Sequence, residues 1–198
     1  LEKGFQTIVY IPHFMSWVVA ASIFSMILSP TSAGLVNDVL MKLHLITDNI
    51  YFLGDQKWWR FSYYIINVWK DTGWGTIIFM ATLAGISPEL YEAASMDGAN
   101  RFQKMIYITL PALNNTIVTV LVLNLAKVMN LFESVFVLQN DAVIKVSDVL
   151  QTYIYTQTFN SGAIPDYGYT TAVGMFSSII SCILAVSYTH LTLPTIRL

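Results

Sequence analysis

The sequence predicts an all-α, multi-pass membrane bundle, and three observations carry that prediction. Of the 198 residues 55% are hydrophobic and 11% are charged, where a soluble domain carries about 25% charged residues. Four apolar runs approach the roughly 20 residues that a helix needs to cross a bilayer. The connections between them are polar, and they hold Trp, Arg and amphipathic spacings suited to a membrane–water boundary.

The first run is "IVYIPHFMSWVVAASIFSMIL", Ile8 to Leu28. Its Pro12 falls in the first turns, where a missing N–H costs little. Residues 29–60 are too polar to span. Within them Leu35, Val36, Val39, Leu40 and Leu43 recur at helical spacing, which predicts a short amphipathic helix lying in the interface. Trp58 and Trp59 beside Arg60 suit the boundary itself. The second span is expected over Phe61 to Leu83, interrupted at mid-depth by Lys70, Asp71, Thr72 and Gly73. The third is expected over Thr116 to Leu138. A polar connection, residues 139–168, then leads to the fourth, "YTTAVGMFSSIISCILAVS". Lys3, Arg101 and Lys104 on one set of loops balance Lys42, Lys57, Arg60 and Lys145 on the other, so charge bias does not set the orientation.

Between the second and third spans lies "ELYEAASMDGANRFQKMIYITLP", residues 89–111. Ser87, Pro88 and Glu89 form a helix start: an N-cap hydroxyl, proline at the first helical position and an acid in the first turn. Asp97-Gly98 is a stop, because glycine accepts the left-handed cap conformation. Asn100 followed by Gln103 is a capping box for a second helix, which Leu110-Pro111 should close. An ordinary interfacial loop has no need of two capped helices. Small Ala93, Ala94 and Gly98 would let a partner approach closely.

These residues carry a resemblance. Glu92-Ala93-Ala94, Gly98, and Ile108-Thr109-Leu110-Pro111 resemble the EAA motif of ABC importer permeases. The extended segment is similar to the carbohydrate-uptake, maltose-permease-like branch. "IVYIPHFMSWVVAASIFSMILSP", "FLGDQKWWR" and "VWKDTGWGTIIFMATLAGISPELYEAA" resemble its polysaccharide and complex-sugar group. The likeness covers residues 1–186 and is most specific over 63–113. It implies that residues 1–187 are part of a transmembrane permease domain, with four of six core spans present. Residues 87–111 would be the loop that docks on a separate ATPase through Glu92, Ala93, Ala94, Asp97, Gly98, Ala99 and Pro111. It implies further partners too: a second permease subunit and an extracytoplasmic sugar-binding protein. The loop would be cytoplasmic, and residues 29–60 and 139–169 would lie outside the bacterial cell membrane.

Ionisable groups at bilayer depth are expensive and default to a functional hypothesis. Lys70, Asp71, Lys127 and Glu133 qualify, with structural pairing, for instance Asp71 with Lys127, as the bland alternative. Sugars are recognised by amides, hydroxyls and carboxylates beside aromatic faces. Asn130, Phe132, Glu133 and Phe136 on the third span, with Asn67 and Trp69 on the second, supply that mixture, although such aromatics also serve as packing. Two rival readings remain: an ion-coupled secondary transporter using a break at Lys70–Asp71, and a membrane-embedded enzyme built on Asp71 and His13. Neither needs the capped loop.

Other classes are disfavoured. A net charge of −2 gives no polybasic grip on nucleic acid. His13 and His44 are lone and far apart, so neither is expected to bind metal. Cys182 is the single cysteine and reads as a small buried hydrophobe. No GxxxxGK[ST] occurs, so ATP and Mg²⁺ belong to the partner chain and this one is expected to be a transport component rather than an enzyme. "LEKGFQTIVY" has no cleavable leader pattern, and the chain reads as a piece of a longer protein. The final "SYTHLTLPTIRL" resembles translated sequencing adapter. Residues 188–198 are therefore expected to be a non-native tail, with the last helix stopping near Ser187.

Overall fold

The computed structural model describes residues 2–31, 34–160 and 164–192, and among these every regular element is a helix. In chain order they are α1 (Glu2–Phe14), α2 (Trp17–Ile27), α3 (Leu35–Lys42), α4 (Gln56–Ala84), α5 (Pro88–Met96), α6 (Arg101–Lys104), a π-helical turn (Met105–Thr109), α7 (Leu110–Val128), α8 (Glu133–Leu138), α9 (Ile144–Ser147), α10 (Leu150–Phe159) and α11 (Tyr167–Thr192). The contacts group into two units: residues 1–73 with 129–178, and 74–128 with 179–198.

In the first unit the expected span Ile8–Leu28 is not one helix. α1 and α2 meet at 109°. Pro12, in the last turn of α1, withholds the N–H that the Ile8 carbonyl would accept in a regular helix, and Ser16, in extended backbone, caps α2 by accepting from the Val19 N–H at 3.3 Å. The exposed end of α1 is then served from a distance: Lys70 Nζ donates to the His13 carbonyl at 3.1 Å and lies 5.1 Å from the Trp17 ring centroid. α4 itself runs unbroken through Lys70–Gly73, contrary to the expected interruption. At Gly73 it passes so close to α1 that a Cβ would stand 2.5 Å from the Val9 carbonyl oxygen.

The expected amphipathic helix is α3. Asn37, fully buried, staples it to its surroundings: its Nδ2 donates to the carbonyls of Ser29 and Ile50, and its Oδ1 accepts from the Ile50 N–H, each at 2.9 Å. His44 takes the left-handed position after α3, with φ 55°. The core of this unit is Ala21 of α2, Leu53, and Trp59, Tyr63 and Ile66 of α4, against Val135 and Leu138 of α8 and Val143. Two buried polar bonds set the register of α4 on α8. Trp59 Nε1 donates to the Leu138 carbonyl at 3.1 Å, and the Tyr63 and Ser134 hydroxyls meet at 2.9 Å.

In the second unit the expected third span is shifted. The helix begins at Arg101 and passes straight through Pro111. The π turn explains how: Leu110 N–H bonds the Met105 carbonyl, the extra residue loosens the ladder ahead of the proline, and Thr109 Oγ1 donates to the Lys104 carbonyl at 3.5 Å. The chain leaves the helix after Val128, ten residues before the expected Leu138, so Glu133 starts α8 rather than sitting inside a span.

Among the described residues two helices are long and apolar enough to cross a membrane, Arg101–Leu125 and Tyr167–Ser187, and the bent α1–α2 pair makes a third if counted as one. α4 has the length, at 29 residues, but Arg60, Asn67, Lys70 and Asp71 lower its apolarity. α11 extends to Thr192, beyond the expected stop at Ser187. Propagating an established helix is cheap, and a proline at 194 leaves earlier N–H groups untouched. Residues 193–198 lie outside the described residues.

Candidate functional site

The segment 87–104 is built almost entirely from local hydrogen bonds. Ser87 Oγ accepts from the Glu89 N–H at 3.3 Å with Pro88 at the first position. At the other end of α5, Gly98 (φ +76°) donates to the Ser95 carbonyl at 3.1 Å, and Ala99 donates to Ala94 at 2.9 Å. That pair of bonds is a Schellman motif. Asn100 Oδ1 accepts from the Gln103 N–H, and Gln103 Oε1 accepts from the Asn100 N–H, both at 2.8 Å. The two helices are then tied together side chain to side chain. Tyr91 and Thr109 hydroxyls meet at 2.9 Å, and Lys104 Nζ donates to Ser95 Oγ at 2.5 Å.

This rigid corner presents an open face. Glu92, Ala93, Asp97 and Gly98 are exposed, and Ala94 and Ala99 are half-buried. A Cβ on Gly98 would meet no atom within 4 Å. Met96 at 89% and Phe102 at 64% exposure flank it. Pro111 is exposed too, but it sits inside a continuous helix rather than at a helix end.

The candidate pathway residues divide. Phe132 and Phe136 stack with centroids 5.0 Å apart. Asn130 Oδ1 accepts from Gln151 Nε2 at 3.3 Å, and the same amide donates to the Met129 carbonyl at 3.3 Å. Glu133 is exposed in the first turn of α8, where its charge complements the helix dipole. Asn67 is half-buried, and its Nδ2 is buried with no hydrogen-bond partner among the described residues. Trp69 packs edge-on to Phe24 at 5.1 Å, apart from the phenylalanine pair.

Sequence reasoning missed α10. Tyr155 lies 4.9 Å from Phe136, 5.5 Å from Phe132 and 5.3 Å from Phe159 by ring centroid, completing a four-ring cluster. The signal was present as Gln151, Tyr155 and Phe159 at i, i+4, i+8, one face of a helix, within what reads as a polar connection. On the same helix the Tyr153 hydroxyl meets that of Tyr169 at 3.2 Å. That hydrogen bond holds the Tyr153 phenol pKa above its ordinary 10.0.

The Lys70 corner is structural in form. The ammonium is buried at 5% exposure, and its contacts are the His13 carbonyl and the Trp17 ring. Asp71 faces His13, Oδ1 to Nδ1 at 3.8 Å.

Residues 1–194 match the family described as binding-protein-dependent transport system inner membrane component. Among curated proteins, the chain is 42% identical over 184 residues to Protein LplB of Bacillus subtilis strain 168, covering 92% of this chain and 56% of that protein. It is 39% identical over 186 residues to the polygalacturonan/rhamnogalacturonan transport system permease protein YteP of the same organism, covering 93% and 56%. Among solved structures it resembles a bacterial ABC transporter involved in import of the acidic polysaccharide alginate. The TM-score is 0.90 and the identity 35%, over 98% of this chain and 66% of that one. The alginate transporter in complex with alginate pentasaccharide-bound periplasmic protein matches with TM-score 0.89 and 35% identity, over 96% and 65%. The chain spans about half the length of the curated relatives it matches.

Proposed function

The chain belongs to the family of binding-protein-dependent transport system inner membrane components, and from that premise we propose that it forms part of the permease subunit of an ATP-driven importer of oligosaccharides or complex sugars. The observation that carries the mechanism is the doubly capped corner at Gly98. Almost every hydrogen bond in it is local, so it keeps its shape while its outer face stays bare. On this reading Glu92, Ala93, Ala94, Asp97, Gly98 and Ala99 seat in a cleft of an ATPase subunit, with Met96 and Phe102 as flanking apolar contacts. Pro111 acts one step back: with the π turn, it shapes the junction through which the corner passes movement into α7. ATP and Mg²⁺ are held by that partner.

The rest of the assembly is a second permease subunit and an extracytoplasmic sugar-binding protein, in keeping with the alginate transporter in complex with its periplasmic protein. Sugar passes beside Asn130, Phe132, Glu133 and Phe136, where Tyr155 adds a further ring, while Asn67 offers an uncommitted amide. Trp69 serves as packing on Phe24. The unbroken course of α4 removes the helix break on which an ion-coupled reading depends. His13 and Asp71 do approach each other, but the family is one of transport components.

The test is uptake by the full-length permease reconstituted with its partners in proteoliposomes. Accumulation should require internal ATP and survive ionophores that collapse ion gradients. Accumulation driven by an ion gradient without ATP would overturn the proposal.

A further inference from the structure

Among the described residues the first unit holds several cavities. One of about 530 Å³ beneath α3 is lined by apolar side chains with Ser62 the exception, and nothing in its chemistry selects an occupant. One of about 260 Å³ borders Trp59 and Tyr63, whose rings are buried and stacked on each other. A third, about 330 Å³, differs in kind. Its polar lining comes from Ser25, Ser29, Tyr51, Gln139 and Asn140, and no charged residue lines it. The volume falls within the about 300–1,000 Å³ of small-molecule sites.

Its walls are held and its polar groups are partly uncommitted. Asn140 is fixed, with Nδ2 donating to the Leu53 carbonyl at 2.7 Å and Oδ1 accepting from the Ala142 N–H at 3.1 Å. Ser29 Oγ is engaged with Thr31 at 2.9 Å. The Tyr51 ring rests on Gly54, where a Cβ would stand 2.1 Å from the ring's Cε1. Glycine at 54 therefore creates the seat on which the ring stands. Against this fixed frame the Tyr51 hydroxyl, the Gln139 amide and the Ser25 hydroxyl have no partner among the described residues. Two hydroxyls, an amide and an aromatic edge without a charge form the donor and acceptor set that a sugar's hydroxyl groups match. A carboxylate or phosphate would find no counter-charge.

We propose that the cavity walled by Tyr51, Gln139 and Ser25 is a subsite for a neutral, hydroxyl-rich sugar unit. It lies just before α4. Resting on the importer reading above, this is the extracytoplasmic mouth, where sugar is received before it reaches Asn130 and Phe132.

The test is binding to the full transporter in lipid nanodiscs without ATP, with maltotriose, arabinotriose and trigalacturonate as probes, read by calorimetry and saturation-transfer NMR. At least one neutral trisaccharide should bind. Gln139→Leu and Tyr51→Phe should each weaken it by about 3- to 10-fold, the effect of one lost hydrogen bond. Tyr51→Phe keeps the ring on Gly54, so a folded protein is retained if Gln139→Leu proves unstable. No binding of either neutral probe overturns the proposal, as does binding that neither substitution changes. So does a preference for trigalacturonate that Gln139→Leu leaves intact. Loss of ATP-driven uptake with binding and its mutational response preserved would sink the importer reading alone. Normal uptake with unresponsive binding would sink the subsite alone.

Discussion

Replacing Gly98 separates backbone strain from partner contact. At φ +76° any L side chain incurs about 1–2 kcal/mol of left-handed strain. Within this chain that is the whole cost, since a Cβ there meets nothing within 4 Å. Gly98→Ala and Gly98→Leu should therefore destabilise the isolated permease by nearly the same amount. Gly98→Asn should do so less, because asparagine tolerates that conformation. The variants diverge only if the corner is seated in another surface. There, overpacking by a leucine side chain costs about 1–3 kcal/mol more, equivalent to roughly 5- to 150-fold in docking. The assay is sugar-stimulated ATP hydrolysis by the reconstituted transporter, with membrane abundance and thermal melting as controls. Gly98→Leu should lose stimulated hydrolysis while inserting as well as Gly98→Ala. If the two variants hydrolyse ATP equally, the corner is not the docking element.

Three further outcomes are expected. Asn37→Ala deletes three hydrogen bonds of a fully buried amide and orphans the Ser29 and Ile50 backbone groups. It should cost about 3 kcal/mol or more, seen as a lowered melting midpoint; an unchanged midpoint refutes the staple. Gly73→Ala forces a methyl against α1 backbone and should cost about 1–3 kcal/mol, again by thermal melting, whereas the open Gly75 should tolerate alanine with only a small change. Glu133→Gln should alter transport rate or sugar preference without affecting folding; uptake kinetics identical to wild type across neutral and acidic oligosaccharides would show that its role is confined to the first turn of α8.

What was legible in the sequence follows the range of the interactions. Ser87, Pro88, Gly98, Asn100 and Gln103 specify their caps through partners two to five residues away, so the corner is legible in the sequence. The helix ends that were misplaced depend on distant groups. α1 ends where Lys70, 57 residues on, takes the His13 carbonyl. The chain leaves α7 where Gln151 and Ser177 donate to the Met129 carbonyl, in the middle of an apolar stretch that reads as continuous span. Pro111 misled for the opposite reason: a proline is a stop signal only if the preceding turn stays α-helical, and here that turn widens. The candidate sugar-contacting group was half visible, because Phe132 and Phe136 share a span-like segment whereas Tyr155 arrives from a helix whose sequence is polar.

The course of α4 also bears on how such a chain enters a membrane. Lys70 and Asp71 sit in the middle of a single unbroken helix, and at the centre of an inserting segment the two would together cost about 5–7 kcal/mol. A translocon sampling that segment alone would find it a poor candidate for the bilayer. The groups that receive the Lys70 ammonium, the His13 carbonyl and the Trp17 ring, are synthesised more than fifty residues earlier and are already in place when α4 emerges. The bent α1–α2 pair is thus the docking ground for α4: it supplies, from chain already made, the carbonyl and the ring that receive Lys70.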